Sequence, residues 1–328
     1  MIHCTLCGSG SVSQIFSKKG FHFHQCNDCH HVFVFPLPTS DETVLHYAES
    51  YDDRYLATVR LWFEALASKR MTVLSSLYPS GFRGRLLDAG SGYGFFLAKA
   101  RDAGWEVTGI EASPIPLTFA RKQFNLIVIR GDIQVAFQEL PRESYDVVTF
   151  WHVLEHVNSP AARLTEAIAL IRPGGHLIVN SPNFDSTVCR LLGKRWSWVY
   201  APGHVQYFSL VSLARWLETR GLSIVKRETW SETPNLYFEV EESLVLAMCD
   251  LLQKIPRFPL TRLRRRLLSF VYSVFNQQVV QKKLKTAYDY TPFLDRWLVK
   301  HDRGHELIVI ARKSKPASFT NRTREQEP

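Results

Sequence analysis

The chain has 328 residues, 45% apolar and 22% charged, a balance that excludes wholesale disorder and suffices to bury a core in one large domain or two ordinary ones. Its 40 basic and 31 acidic residues leave a net +9, but nine of the basic residues and no acidic one fall between Leu251 and Tyr288. The remainder is neutral overall and offers no general basic face, so nucleic acid is not expected as a partner. No run approaches the ~18 consecutive apolar residues of a membrane span, and no basic patch leads into an apolar run at the N-terminus, so a cytoplasmic location is expected.

First along the chain come Cys4, Cys7, Cys26 and Cys29, a Cys-x2-Cys-x18-Cys-x2-Cys pattern inside the spacing range of zinc sites. Each Cys-x-x-Cys makes a tight knuckle that aims two thiolates at one point, and two knuckles joined by a hairpin supply a closed tetrahedral S4 shell. With every position filled by protein, the Zn2+ is expected to be structural, and residues 1–38 are too few to fold on a core of their own without it. A disulfide pair is the alternative, disfavoured in a reducing compartment. His3, His22, His24, His30 and His31 crowd the same segment and are expected at the surface. Cys189 and Cys249, alone in sequence, are expected to be buried and inert.

Pro36 and Pro38 close the module, and 39–80 reads as a helical linker or cap rich in aromatics (Tyr47, Tyr51, Tyr55, Trp62, Phe63) that ends at Pro79 and Gly81. Short β-type runs at 86–88, 106–110, 126–130, 145–150 and 176–180 then alternate with helical ones. That alternation predicts a doubly wound α/β domain over 81–230, its parallel sheet covered by helices on both faces. A strand pair at 222–228 and 306–312 is expected to complete the sheet, the last strand falling within 305–313. Between them 231–304 reads as a basic, amphipathic, mostly helical insertion. Residues 314–328 are polar with two prolines and are expected to form a disordered tail.

The run Leu86-Leu87-Asp88-Ala89-Gly90-Ser91-Gly92-Tyr93-Gly94-Phe95 places three glycines at alternate positions between a strand and a helix, where the backbone must turn sharply and let a ligand approach. Asp88 precedes the turn, Glu111 ends the next strand and Asp132 follows the third. A dinucleotide fingerprint would need glycine where Phe95 stands, and no lysine-bearing phosphate loop is present. The sequence instead resembles the class I S-adenosylmethionine-dependent methyltransferases, over about 85–230 plus the final strand. The resemblance implies a Rossmann-like sheet and S-adenosylmethionine as donor. It implies a cradle for the donor's methionine part at Asp88, Gly90, Ser91, Gly92, Tyr93 and Gly94, ribose bonding at Glu111 beside Ala112, adenine reading at Asp132 and Ile133, and Trp151 against the donor. A carboxylate suits a vicinal diol because it accepts two hydrogen bonds at once.

The fourth strand continues into Trp151-His152-Val153-Leu154-Glu155-His156-Val157, which resembles the small-molecule branch of that family. Methyltransferases of base amines carry Asn/Asp-Pro-Pro-aromatic at this corner, and this chain does not. His152-x-x-Glu155-His156 matches the letters of an inverted zinc protease motif, but it starts at the end of a parallel strand. Some related O-methyltransferases hold a divalent ion with Glu-x-x-Glu-His and a distant histidine; here His152 replaces the first Glu, and His152, Glu155 and His156 could still converge, with His204 as the distant partner. Enzymes that C-methylate nucleotide-linked sugars carry Tyr-His-Glu-His where this chain has Ala201-Pro202-Gly203-His204, so only the last histidine is kept.

Methyl transfer from a sulfonium needs alignment and removal of one proton. His152 and His204 are the candidate catalytic bases, because imidazole titrates near the working pH. The expected reaction is transfer to a small-molecule, glycan or lipid-linked acceptor, at oxygen. Two alternatives are an RNA methyltransferase whose zinc module grips RNA and a non-catalytic binding protein on the same fold. In the insertion, Leu260, Leu263, Leu267, Phe270, Val271, Val274 and Phe275 recur at helical spacing beside Arg262, Arg264, Arg265 and Arg266. A lid on the domain, or peripheral contact with the inner membrane face through 257–285, is the expectation for that segment.

Overall fold

The computed structural model describes residues 1–38, 53–230 and 297–315, apart from the side chains of 53–55 and 57–59. Two sheets organise them. The smaller contains β1 (Val12–Lys18), β2 (Phe21–Cys26), β3 (Val32–Val34) and the distant β9 (Gln206–Tyr207) in that order. Lys19 and Gly20 join β1 to β2 with φ of 50° and 84°, the left-handed pair that matches the twist of a tight hairpin. The expectation that the module's histidines lie at the surface fails for two of them. His24 is 6% exposed and His31 fully buried, because β3 and β9 roof the module where an isolated ribbon would be open to water.

The larger sheet has seven strands: β4 (Arg85–Ala89), β5 (Glu106–Glu111), β6 (Val128–Arg130), β7 (Tyr145–Trp151), β8 (Ile171–Pro182), β10 (Leu222–Trp230) and β11 (Glu306–Lys313). Their order is β10-β11-β8-β7-β4-β5-β6. β4 to β8 are parallel, and β11 lies antiparallel between β8 and β10. This is the doubly wound α/β fold read from the alternating pattern. All seven residues of β7 are buried, as a strand covered on both faces requires. Helices α1 (Asp53–Leu77), α2 (Phe95–Asp102), α3 (Pro114–Phe124), α4 (Ile133–Glu139), α5 (Pro160–Leu170), α6 (Thr187–Leu192) and α7 (Leu210–Thr219) supply the covering layers.

Most strands extend an expected range by a residue or two, and two depart further. β6 is only three residues long, because Leu126 instead packs against the glycine turn. β8 begins at Ile171, before Pro173-Gly174-Gly175, pairing Ile171 with Tyr145 ahead of a register irregularity. Residues 39–52 of the cap, 231–296 of the insertion with its basic stretch, and 316–328 of the tail lie outside the described residues. Among the described residues no helix is long and apolar enough to cross a membrane.

The chain runs outward from β4 to β5 on one side and to β7 on the other. The carboxyl ends of these strands therefore diverge, and in open α/β sheets ligands bind in that crevice.

Candidate active site

A cleft of about 1090 Å³ opens there. One wall is the turn after β4, with φ of 77° at Gly90, 55° at Gly92 and 79° at Gly94. A Cβ on Gly90 would stand 2.5 Å from Val153, and one on Gly94 2.7 Å from Leu126 and 2.9 Å from Ala120. Glycine is therefore required twice over, by dihedral and by contact. Gly90 and Ser91 donate their N–H groups to the Ile110 carbonyl at 2.9 and 2.8 Å, which folds the turn back onto β5.

Glu111 completes this wall. Its carboxylate accepts from the N–H of Gly92 at 2.8 Å and from that of Ser113 at 2.7 Å. Burial raises its pKa and these bonds oppose the shift. Ala112 lies beside it in the cleft, and Asp132 and Ile133 line the same end. Asp132 caps α4, accepting from the Gln134 N–H at 2.6 Å. Asp88 does not line the cleft. It lies one layer beneath, 1% exposed, and takes a 2.7 Å hydrogen bond from the Thr149 hydroxyl. Burial pushes its carboxyl up to about 7 against the Thr149 bond and the Arg70 charge.

Arg70, Trp62 and Phe63 of α1 also line the cleft, and sequence reading missed all three as site residues. Arg70 lies over the Trp151 ring, 5.0 Å from its centroid.

At the other end β7 delivers Trp151 and His152. His152 has φ 56°, a left-handed backbone that costs a side chain with a Cβ of order 1–3 kcal/mol. The kink turns the imidazole between two carboxylates. Its Nδ1 lies 3.1 Å from Glu155 Oε1 and its Nε2 3.4 Å from Glu306 Oε2. Burial alone would lower the pKa of His152, but Glu306 and Glu155 prevail and raise it to about 10. The ring is an imidazolium at neutral pH. In turn Glu155, despite burial, is held down to about 2 by His152 and its neighbours, and Glu306 also lies well below its ordinary value. Ser181 donates to Glu155 at 3.0 Å and Asn180 to Glu306 at 3.1 Å, which satisfies further lone pairs of these buried anions.

His204 has the opposite character. Its Nδ1 donates to the Trp198 carbonyl at 3.0 Å, which places the lone pair on Nε2. Burial, with the nearby His156, lowers its pKa to about 3, so it is neutral. His156 likewise donates from Nδ1, to the Gly203 carbonyl at 2.8 Å. Ligand atoms of Glu155, His156 and His204 lie within 4.8 Å of one another. Two outward-bonded Nδ1 groups beside a carboxylate are the arrangement that presents imidazoles to a divalent cation. The aromatic rings of Trp198 and Tyr200 complete this end of the cleft.

Outside the cleft, Cys4, Cys7, Cys26 and Cys29 converge with every Sγ within 4.8 Å of the others, Cys4 to Cys29 at 3.6 Å and Cys7 to Cys26 at 3.5 Å. Tetrahedral zinc with Zn–S near 2.3 Å separates sulfurs by about 3.8 Å, so the cluster fits that ion. A disulfide needs about 2.05 Å, and the four cysteines are free. Cys189 is buried, as expected.

The glycine turn, the acidic residues at successive strand ends and the seven-stranded order with its one reversed strand define the class as an S-adenosylmethionine-dependent methyltransferase. A family model described as a methyltransferase domain matches residues 51–227, more than half of the chain. The chain belongs to that family.

Similar curated proteins include the ubiquinone biosynthesis O-methyltransferase of Aeromonas salmonicida, 29% identical over 157 residues, covering 44% of this chain and 64% of that one. The enzyme of the same name from Alkalilimnicola ehrlichii is 34% identical over 107 residues, covering 30% and 42%. That from Xanthomonas axonopodis pv. citri is 27% identical over 204 residues, covering 55% and 82%. The chain thus spans less than two thirds of the length of the first two. Among solved structures, Haemonchus contortus phosphoethanolamine N-methyltransferase 2, in complex with S-adenosyl-L-methionine, superposes with a TM-score of 0.52 at 16% identity, covering 87% of this chain and 62% of that one. That likeness is one of fold.

Proposed function

We propose that this enzyme transfers the methyl group of S-adenosylmethionine to a hydroxyl oxygen of a small-molecule acceptor bound between Trp151, Trp198 and His204. Glu111 takes the ribose hydroxyls, Asp132 and Ile133 the adenine, and the Gly90 to Gly94 turn the methionine part. Arg70, above Asp88, takes the donor's carboxylate. Curated relatives whose names describe O-methylation support oxygen as the target. Zn2+ in the four-cysteine cluster is structural in this reading, since four sulfurs close its shell.

The observation that carries the proposal is the neutral His204 beside the buried anion Glu155. A neutral base does not repel an incoming sulfonium. Alignment of oxygen, methyl and sulfur is worth up to about 7–11 kcal/mol in well-oriented systems. As the carbon–oxygen bond forms and the carbon–sulfur bond breaks, positive charge moves from sulfur to the acceptor oxygen. Its proton becomes strongly acidic, so even a weakly basic imidazole accepts it at Nε2. The Glu155 carboxylate then stabilises the resulting imidazolium. His152, already charged, is no base in this scheme. It holds Glu155 and Glu306 in place and presents a positive edge to the acceptor. A second reading follows from the convergence of Glu155, His156 and His204: a divalent cation held there would bind acceptor oxygens directly.

The test is incubation of purified protein with methyl-labelled S-adenosylmethionine and panels of hydroxylated aromatics, sugars and lipid-linked glycans, with the product's methyl carbon located by NMR. An O-methyl product is expected. Methyl on nitrogen, on carbon or in co-purified RNA would refute the proposal, and anomalous scattering at the Glu155 corner would decide for the cation.

A further inference from the structure

We propose that Gln206 is a positioning residue through which the four-cysteine module holds the acceptor wall in order, so that metal loss loosens that wall while the donor half stays intact. The proposal takes the module to bind Zn2+ and does not depend on which acceptor is used.

Gln206 is 1% exposed and belongs to β9, the strand that the methyltransferase domain lends to the module's sheet, where it pairs with Phe33. Its side-chain oxygen accepts from Thr5 Oγ1 at 2.7 Å and bonds His31 Nε2 at 2.9 Å. Both partners lie next to a metal-binding knuckle, one inside Cys4–Cys7 and the other two residues past Cys29. Its side-chain nitrogen donates to the Asn158 carbonyl at 3.4 Å, and Asn158 lines the cleft. One buried amide therefore bonds to both the metal knuckles and the loop after Glu155 and His156.

Backbone contacts run in parallel. Val34 donates to the Val205 carbonyl at 2.9 Å, and Val205 donates to the Glu155 carbonyl at 2.8 Å. From the hairpin, the Lys18 ammonium reaches the carbonyls of Trp196 and Val199, on either side of Trp198. Phe23, Val32 and Val34 of the module share one apolar cluster with Trp196, Val199, Val205 and Tyr207. The module's Cys4, Leu6, Cys26 and Phe33 also join the main core that holds Leu87, Ala89 and Ile110, but the donor half has backbone bonds of its own, Gly90 and Ser91 on the Ile110 carbonyl and Gly92 on Glu111. Because a metal-bound ribbon owes its folding energy to the ion, removing the ion removes the support of the acceptor wall first.

The experiment is hydrogen–deuterium exchange by mass spectrometry on the full chain, zinc-loaded and after chelation under reducing conditions, with adenosylhomocysteine binding followed by calorimetry. Exchange in 153–158 and 196–208 is expected to quicken at least tenfold on chelation. Exchange in 86–111 should hold, and adenosylhomocysteine affinity should stay within threefold. Two zinc-loaded variants separate Gln206 from the module as a whole. Gln206→Leu loses all three bonds and should loosen both 153–158 and the module. Gln206→Glu, in its ionised form, keeps its acceptor for Thr5 and His31 and has no hydrogen to donate to Asn158, so with exchange read above the pH at which that carboxyl titrates it should loosen 153–158 alone, with metal content unchanged. Protection that survives chelation at 196–208, or that falls equally everywhere, would overturn the proposal. So would native exchange at 153–158 in Gln206→Glu, which also decides the matter should Gln206→Leu fail to fold.

Discussion

Glu306→Gln tests the buried charge pattern directly, because it removes one negative charge and keeps the shape. The Glu306 oxygen lies 3.4 Å from His152 Nε2. At an effective dielectric of about 20, two unit charges at that distance interact by about 5 kcal/mol, or some 3 to 4 pKa units. Without Glu306, burial of the ring is opposed by Glu155 alone, so the titration of His152 should fall from about 10 towards neutrality. The assay is long-range proton–nitrogen correlation NMR of the imidazole nitrogens between pH 5 and 9. Native His152 should keep imidazolium shifts throughout, and the variant should titrate within the window. Stability follows with a definite sign: a histidine whose folded pKa is raised contributes fully below its unfolded value of ~6.5 and loses that contribution as pH rises through the folded pKa. Native protein should therefore lose this contribution progressively between pH ~6.5 and about 10, and Glu306→Gln, whose folded and unfolded values nearly coincide, should show little of that decline. A native His152 that titrates below pH 8, or a variant identical to native, would refute the reasoning.

Further outcomes concern both ends of the cleft and its frame. Glu111→Ala removes the acceptor of two backbone bonds and the proposed ribose partner; at about 1.5–3 kcal/mol for a hydrogen bond to a charged group, calorimetry should show adenosylhomocysteine affinity lowered at least tenfold. His204→Ala should cut turnover at least tenfold, with the acceptor identified by the labelled-methyl screen, and leave that affinity within threefold. Asp88, raised to about 7 from an unfolded value of ~3.9, contributes stability that is present below pH 4 and lost as pH rises through 7. Melting temperatures of Asp88→Asn should lack that decline. Gly94→Ala meets Leu126 and Ala120 at a φ of 79° and should cost about 1–3 kcal/mol, read from denaturant unfolding.

The glycine turn and the acidic residues at the strand ends were legible because their determinants are local. Gly90 to Gly94 and Asp132 follow a parallel strand and Glu111 ends one, and strand ends are marked by pattern. The acceptor end was legible only in part. His152, Glu155, His156 and His204 stood out by type, but the charge state of His152 depends on Glu306, which lies 154 residues further on and reaches the ring because β11 slots antiparallel beside β8. No local signal announces that pairing. Arg70 and Trp62 were missed for a related reason, since an aromatic helix reads the same whether it caps a cleft or merely covers a core. The burial of His31 was hidden too, because a two-residue strand at Gln206–Tyr207 has no periodicity to detect, yet it roofs the module.

The antiparallel insertion of β11 also sets an order of assembly. The strands that carry the glycine turn, Glu111 and Asp132 are made some 175 residues or more before Glu306, so His152 gains the second of its two anionic partners only from the end of the described chain. The charge state of His152 is thus set only when the last described strand has been made and seated beside β8.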